Sequence, residues 1–345
     1  MPTSAPRHSV LATLVRSRWT FEIVLAAGLL TLALVRVDLR AVGTSLAHAQ
    51  YGWALLAAAI YGLTRVVHAI HWQFYLKKVG RAPLAGMLGT FLIGNLVDNV
   101  LPIRMGEIAR LQIVANRYGL SRTGIVAGRA TEVLVDGIAM AVLFLIAVAL
   151  LPSAVPSAGI LWIVAGAAAC TFAALALLSR VLPAELDDWP PLRWLPARVR
   201  HATVAGWPRF RDGLEALRNT RLLVVVLGLT VVGYTTEIVM FWTFGLAFHL
   251  GLPLSSYVSV VVAVGVVRTV PLTFQNIGTY EVVLVAVLSR QGATSDAAFA
   301  YAVATRVFVS LFITTMGLLA MWTMRVRPQD LFALRRPASG PNRQA

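Results

Sequence analysis

Charge is scarce in this sequence: 13% of its 345 residues are Asp, Glu, Lys or Arg, against 58% that are hydrophobic. Water-soluble domains carry about 25% charged residues. So little charge cannot cover a soluble globule, and the hydrophobic content excludes a disordered chain. Cysteine occurs once, as Cys170 in an apolar run, which excludes an intrachain disulfide and a thiolate metal cluster. Lysine is limited to Lys77 and Lys78 among 30 basic residues. Nucleotide-binding Gly-Lys-Ser/Thr loops, His-Glu-x-x-His and Gly-x-Ser-x-Gly are all missing. The only adjacent acidic pair, Asp187-Asp188, lies in a Trp- and Pro-rich stretch that reads as a solvated patch.

The chain has long apolar runs instead, and these predict an all-α polytopic membrane protein, since helices satisfy their own backbone in lipid. Ten-residue alternating strands, the mark of a membrane barrel, are not the pattern. Full spans are expected at about 20–37, 51–76, 125–150, 156–179, 221–248 and 297–324. Ala47-His48-Ala49 resembles a signal-peptidase site but lies too far beyond the first apolar run, so a retained first helix is expected.

Two further apolar pieces end at polar, proline-containing breaks. Residues 84–101 run into Asp98, Asn99 and Pro102 and are followed by an amphipathic piece from Gly106 to about Asn116. Residues 254–271 run into Arg268 and Pro271 and are followed by 277–289. Each reads as two half-helices, re-entrant or spanning, and either form returns the chain to the side it left. Broken backbone at membrane depth needs protein or a water-filled cavity around it.

The net charge of +15 is concentrated in loops and tails, which points to anionic headgroups rather than nucleic acid. With the N-terminus in the cytoplasm, that side carries Arg7, Arg16, Arg18, Lys77, Lys78, Arg81, Arg117, Arg122, the arginine-rich 180–221 stretch and the tail from Arg325. The opposite side carries Arg40 and Arg290 and little else. Both termini are therefore expected in the cytoplasm. The division is a cytoplasmic segment 1–19, a membrane domain 20–325 and a basic tail 326–345. The domain has halves of about 20–180 and 221–325 joined by a basic loop 181–220. In that loop, 207–218 places Trp207, Phe210, Leu214 and Leu217 on one face, which suits an interfacial helix or a connector equally.

The broken segments look like copies. Glu107 precedes Gly119 by 12 residues and Glu281 precedes Gly292 by 11, while Val133 and Arg306 each follow those glycines by 14. Entry from opposite sides makes this an inverted repeat, an arrangement that places substrate sites near the midplane.

Ionisable residues inside spans cost roughly 2.5–3.5 kcal/mol each on insertion scales and mark pairs or polar cavities. Arg65, His68 and His71 lie in the second span. Asn95, Asp98, Asn99, Arg104, Glu107 and Arg110 surround the first break, and Arg129, Glu132 and Asp136 share one helical face. Glu237, Arg268, Glu281 and Arg306 belong to the second half. Arginine stays ionised and binds phosphate through a planar fork. Arg104, Arg110, Arg129, Arg268 and Arg306, with Asn95, Asp98, Asn99 and Glu107, are thus candidates for holding an anionic lipid headgroup. Half-helices opening after Pro102 and Pro271, with Gly106 and Gly278 in the breaks, add amide donors. Glu132, Asp136, Glu237 and Glu281 are candidates for charge balance or proton coupling. His68-x-x-His71 lacks a third ligand, so neither a metal nor a cofactor is expected.

The run Gly94-Asn95-Leu96-Val97-Asp98-Asn99-Val100-Leu101-Pro102-Ile103-Arg104-Met105-Gly106-Glu107-Ile108-Ala109-Arg110 resembles the signature of the lysylphosphatidylglycerol synthase transmembrane, or YbhN-like, flippase family. Glu132 to Asp136 resembles its following Glu-Arg-x-x-Asp element, with Val133 in place of the arginine and Arg129 one turn earlier. Pro271, Gly278, Glu281, Gly292 and Arg306 resemble its second half, though Thr273 to Gly278 has fewer glycines. The resemblance covers about residues 15–325 as a membrane module without the synthase domain. It implies lipid transport in the cytoplasmic membrane, with membrane lipids as partners and no enzymatic activity. A transferase acting on a lipid-linked substrate, or a scaffold for lipid-synthesis enzymes working through loop 181–220, are the alternatives.

Overall fold

The computed structural model describes residues 39–101, 105–150, 194, 196–213, 219–269 and 276–332. Ten α-helices are described: α1 Leu39–Ala47, α2 Tyr51–Tyr75, α3 Leu84–Val100, α4 Met105–Tyr118, α5 Arg122–Leu150, α6 Ala197–Gly213, α7 Thr220–Ala247, α8 Leu254–Thr269, α9 Thr279–Ser289 and α10 Ser295–Thr323. No strand occurs among these residues. The expected spans at 20–37 and 156–179, Pro102, Arg104, Pro271, residues 181–193, 195 and 214–218 of the loop and the end of the tail lie outside the described residues.

α2, α5, α7 and α10 are long and apolar enough to cross a membrane. Their outward faces carry residues such as Leu63, Val231, Val232, Leu311 and Leu318, as expected of surface in contact with lipid tails. α3, at 17 residues, is about 25 Å long, short of the ~30 Å hydrocarbon core. α8 and α9 are shorter still. Pro83 and Pro253 stand immediately before α3 and α8, where a missing N–H costs nothing.

The helices form two units of five, α1–α5 and α6–α10, and every substantial helix–helix packing in one unit has its counterpart in the other. α3 folds back against α4 as α8 does against α9. The short hairpins are exchanged: α3 packs on α10 and α8 packs on α5. α1 lies on α10 as α6 lies on α5. α6 begins ten residues before the predicted 207 and docks Phe210 beside Trp72 and Tyr75.

At the centre, α2 and α7 pair along their lengths. Gln50 N donates to Ala247 O at 2.9 Å, Thr64 Oγ1 meets Thr236 Oγ1 at 3.0 Å, and Thr230 Oγ1 meets His71 Nε2 at 3.2 Å. Rising numbers on one helix match falling numbers on the other, so the pair is antiparallel and the units have opposite topology. The same reversal joins α3 to α10, where Leu96 lies against Gly317 and Gly89 against Met324. It joins α5 to α8 as well, through Met140 against Gly265 and Ala147 beside Val258 and Val262. The inverted repeat expected from the two broken segments is thus present in the fold.

The apolar core is split. One cluster gathers Tyr61, Phe241, Phe244, Tyr257 and Tyr301, and another gathers Trp72, Tyr75, Met87, Phe91 and Ile125. Each takes one end of the α2/α7 pair. Between them, Thr64, Arg65 and His68 on α2 and Thr230, Thr236 and Glu237 on α7 occupy the middle of the molecule.

Candidate functional site

The two breaks are built alike. Met105–Tyr118 starts with Glu107 in its first turn, and Thr279–Ser289 starts with Glu281 in its own. Arg129 of α5 grips Glu107 with Nε at 3.1 Å and Nη2 at 2.9 Å. Arg306 of α10 grips Glu281 with Nε at 2.5 Å and Nη2 at 3.4 Å. Both are two-point forks, the geometry that makes arginine–carboxylate pairs directional as well as strong. Arg129 therefore takes the part in the first half that Arg306 takes in the second. Val133, which equal spacing had matched with Arg306, is 52% exposed and faces outward.

Depth follows from helix rise. Arg129 stands seven residues into α5 and Arg306 eleven into α10, about 10 and 16 Å from the helix starts at 1.5 Å per residue. Those starts lie at opposite ends of the antiparallel bundle. The two forks are thus set inward from opposite ends of the bundle.

One amide at each half-helix start is already engaged. Gly106 N donates to Asp98 Oδ1 at 2.7 Å, and Gly278 N donates to Glu281 Oε2 at 2.8 Å. Asp98 and Glu281 act here as caps, satisfying donors that lipid could not. Backbone crowding shapes both turns. A Cβ on Gly106 would overlap the carbonyl oxygen of Gly94. Gly278 adopts φ 80° and Asn276 φ 56°, a conformation that glycine and asparagine reach most readily. Arg306 Nη2 also donates to Asn276 O at 2.9 Å, closing the second break.

Charges run between the breaks as a chain. Arg110 lies 3.5 Å from Glu107, and Arg129 Nη1 lies 2.9 Å from Glu132 Oε2. Asp136, one turn further along α5, stands within electrostatic range of Glu132, Arg129 and Glu237. Glu237 Oε1 accepts from Arg268 Nη1 at 2.8 Å. Arg268 in turn is in range of His68, as are Arg65, His71 and Arg110. The circuit crosses α4, α5, α7, α8 and α2, five elements from both repeats.

Exposure separates its members. The Arg306–Glu281 side chains are 22% and 4% exposed, a largely enclosed pair, whereas Arg129 and Glu107 are 34% and 37% exposed. Arg268 is half exposed although its partner Glu237 is buried. Of the expected headgroup arginines that are described, Arg129, Arg268 and Arg306 hold carboxylates at hydrogen-bond distance, and Arg110 stands beside Glu107 with its guanidinium over the Phe91 ring at 4.1 Å. Asn99 reaches across to α10, donating to Thr314 Oγ1 at 3.0 Å. Asn95 keeps a buried Nδ2 with no partner. Among the described residues no three His, Cys, Asp or Glu side chains converge on a metal position.

Arg65 was passed over as a candidate ligand. It is buried in the middle of α2 with its guanidinium 4.5 Å over the Tyr61 ring, and its Nε has no hydrogen-bond partner. No carboxylate pairs with it among the described residues. Its position inside a span was visible in the sequence; its lack of a partner needed the fold.

Two inverted units, each with a broken hairpin pinned by a glutamate–arginine fork, define a multi-pass helical membrane protein with a set of ionisable residues between its units. The chain belongs to the family described as the lysylphosphatidylglycerol synthase TM region, which it matches over residues 19–317. Neither a curated protein nor a solved structure matches it. Membership supports association with membrane lipids and a role in lipid handling.

Proposed function

We propose that this protein is a lipid translocator of the cytoplasmic membrane, moving a phosphate-bearing headgroup between leaflets without chemical change. The observation that carries this reading is the charged circuit from the first break to the second, lying between two units of opposite topology. Acyl chains stay in the bilayer while the headgroup crosses along polar residues that spare it the hydrocarbon. An inverted repeat supplies two related conformations with access from opposite faces. Arg268, half exposed beside buried Glu237, is the arginine of the circuit best presented to an entering headgroup.

The test is reconstitution into vesicles containing fluorescent phosphatidylglycerol or phosphatidylethanolamine, followed by an external quencher. Protection should be lost with wild-type protein, and Arg268→Ala should slow that loss by tenfold or more, as expected for removing a charge-assisted contact worth at least ~1.4 kcal/mol. Wild-type vesicles that protect every headgroup as well as protein-free vesicles do would sink the reading.

A further inference from the structure

The two repeats carry one ion-pair position with its signs exchanged. Arg65 stands ten residues before the last residue of α2, and Glu237 stands ten before the last residue of α7. Asp98 is the fourteenth residue after the first of α3, and Arg268 is the fourteenth after the first of α8. In the second unit the pair is closed, with Arg268 Nη1 donating to Glu237 Oε1 at 2.8 Å. In the first it is open: Asp98 caps Gly106, and Arg65 lies over the Tyr61 ring without a carboxylate. The unit that leaves its cation uncompensated also leaves donors unused. Arg65 Nε, Arg110 Nε and Asn95 Nδ2 are buried without hydrogen-bond partners.

These groups are linked through His68 and Phe91. His68, one turn from Arg65, is in electrostatic range of Arg65, Arg110 and Arg268. Its ring lies 5.8 Å from Phe91, the ring that Arg110 covers, and Asn95 follows Phe91 by one turn of α3. A buried guanidinium without a counter-charge is costly, and buried donors left unmade add to the cost. Three unpartnered N–H groups around two arginines call for an acceptor with negative charge and several oxygens, which is the chemistry of phosphate.

We infer that Arg65, with Arg110 and Asn95, forms a phosphate-binding site in the first repeat, where the ligand supplies the counter-charge that Glu237 supplies to Arg268 in the second. The site deepens the translocator reading by naming its anchor, and it rests on that reading only for the phosphate's source, a lipid headgroup. Protein atoms cover the three nitrogens in this conformation, so the phosphate reaches them as α2 and α3 part.

The experiment measures binding by calorimetry to the purified full chain in a neutral detergent. The probes are dioctanoyl phosphatidic acid, dioctanoylglycerol and inorganic phosphate. Wild type should bind the phosphatidic acid and not the diacylglycerol. Arg65→Met should weaken binding at least tenfold, about what one charge-assisted contact provides. Asn95→Leu should weaken it less, and Arg221→Ala should leave it unchanged. Without ligand, Arg65→Met should melt no lower than wild type, because it removes a buried charge that has no carboxylate partner among the described residues. Inorganic phosphate competing as well as the lipid would support the site and make free phosphate its ligand. Unchanged binding in Arg65→Met, no binding by wild type, or a lower ligand-free Tm accompanying lost binding would each overturn the site. Binding by wild type without lipid movement in vesicles would leave the site standing and sink translocation. Lipid movement without binding would do the reverse.

Discussion

Gly94 of α3 and Gly106 of α4 meet backbone to backbone at the first break, so close that a Cβ on Gly106 would overlap the Gly94 carbonyl oxygen and press on the Asp98 carboxylate. That contact lets α3 and α4 lie together with Asp98 inside the turn. Replacing Gly106 by Ala should therefore separate the hairpin and release the cap at once. The expected cost is about 2–4 kcal/mol, combining overpacking with an unmade buried hydrogen bond. Thermal unfolding in detergent reads it out, with Gly137→Ala as the control, since nothing lies within 4 Å of a Cβ added there. Equal melting of the two variants would contradict the close approach.

The forks should differ in strength although they share a form. Arg306–Glu281 is largely enclosed and Arg129–Glu107 is partly open. Breaking the enclosed pair with Glu281→Gln should cost about 3–5 kcal/mol, because it removes the buried carboxylate that Arg306 grips at two points. Glu107→Gln should cost about 1–2 kcal/mol, since exposure screens the charges and Arg129 keeps Glu132. Double-mutant cycles of each glutamate with its arginine check the order. A larger coupling at the first fork would reverse the argument.

The charge distribution predicts an orientation, and the antiparallel α2/α7 seam predicts that the two repeats meet opposite faces. Lys78 just beyond α2 should face the cytoplasm and Arg290 just beyond α9 the opposite side. In a Cys170→Ser background, Lys78→Cys in intact cells should resist a membrane-impermeant maleimide and Arg290→Cys should react. The opposite pattern would invert the topology.

Much of this architecture was legible in the sequence. The apolar runs located the four described long helices to within about three residues at each end, because spans need unbroken hydrophobic length and little else. The broken hairpins announced themselves through proline and polar residues interrupting such runs. Pairing was harder to read. Counting fourteen residues from Gly119 led to Val133, which faces outward, whereas Arg129, one turn earlier on α5 and legible in the sequence beside the family element, is the residue that reaches Glu107. One amide at each half-helix start is capped, Gly106 N by Asp98 and Gly278 N by Glu281, carboxylates that the sequence offered only as nearby charges. Arg65 stood in plain view within a span. Its importance lies in the carboxylate that fails to reach it, and that depends on how α3 turns.

The crossed docking of the hairpins has a consequence for how the chain is made. Leu96 leaves the ribosome 221 residues before Gly317, the glycine it rests against. Until α10 is inserted, α3 waits in the bilayer with that side uncovered, and α5 waits in the same way for α8. Each unit lends the other a helix on which its hairpin docks, so a chain truncated before α10 should leave α3 without that partner.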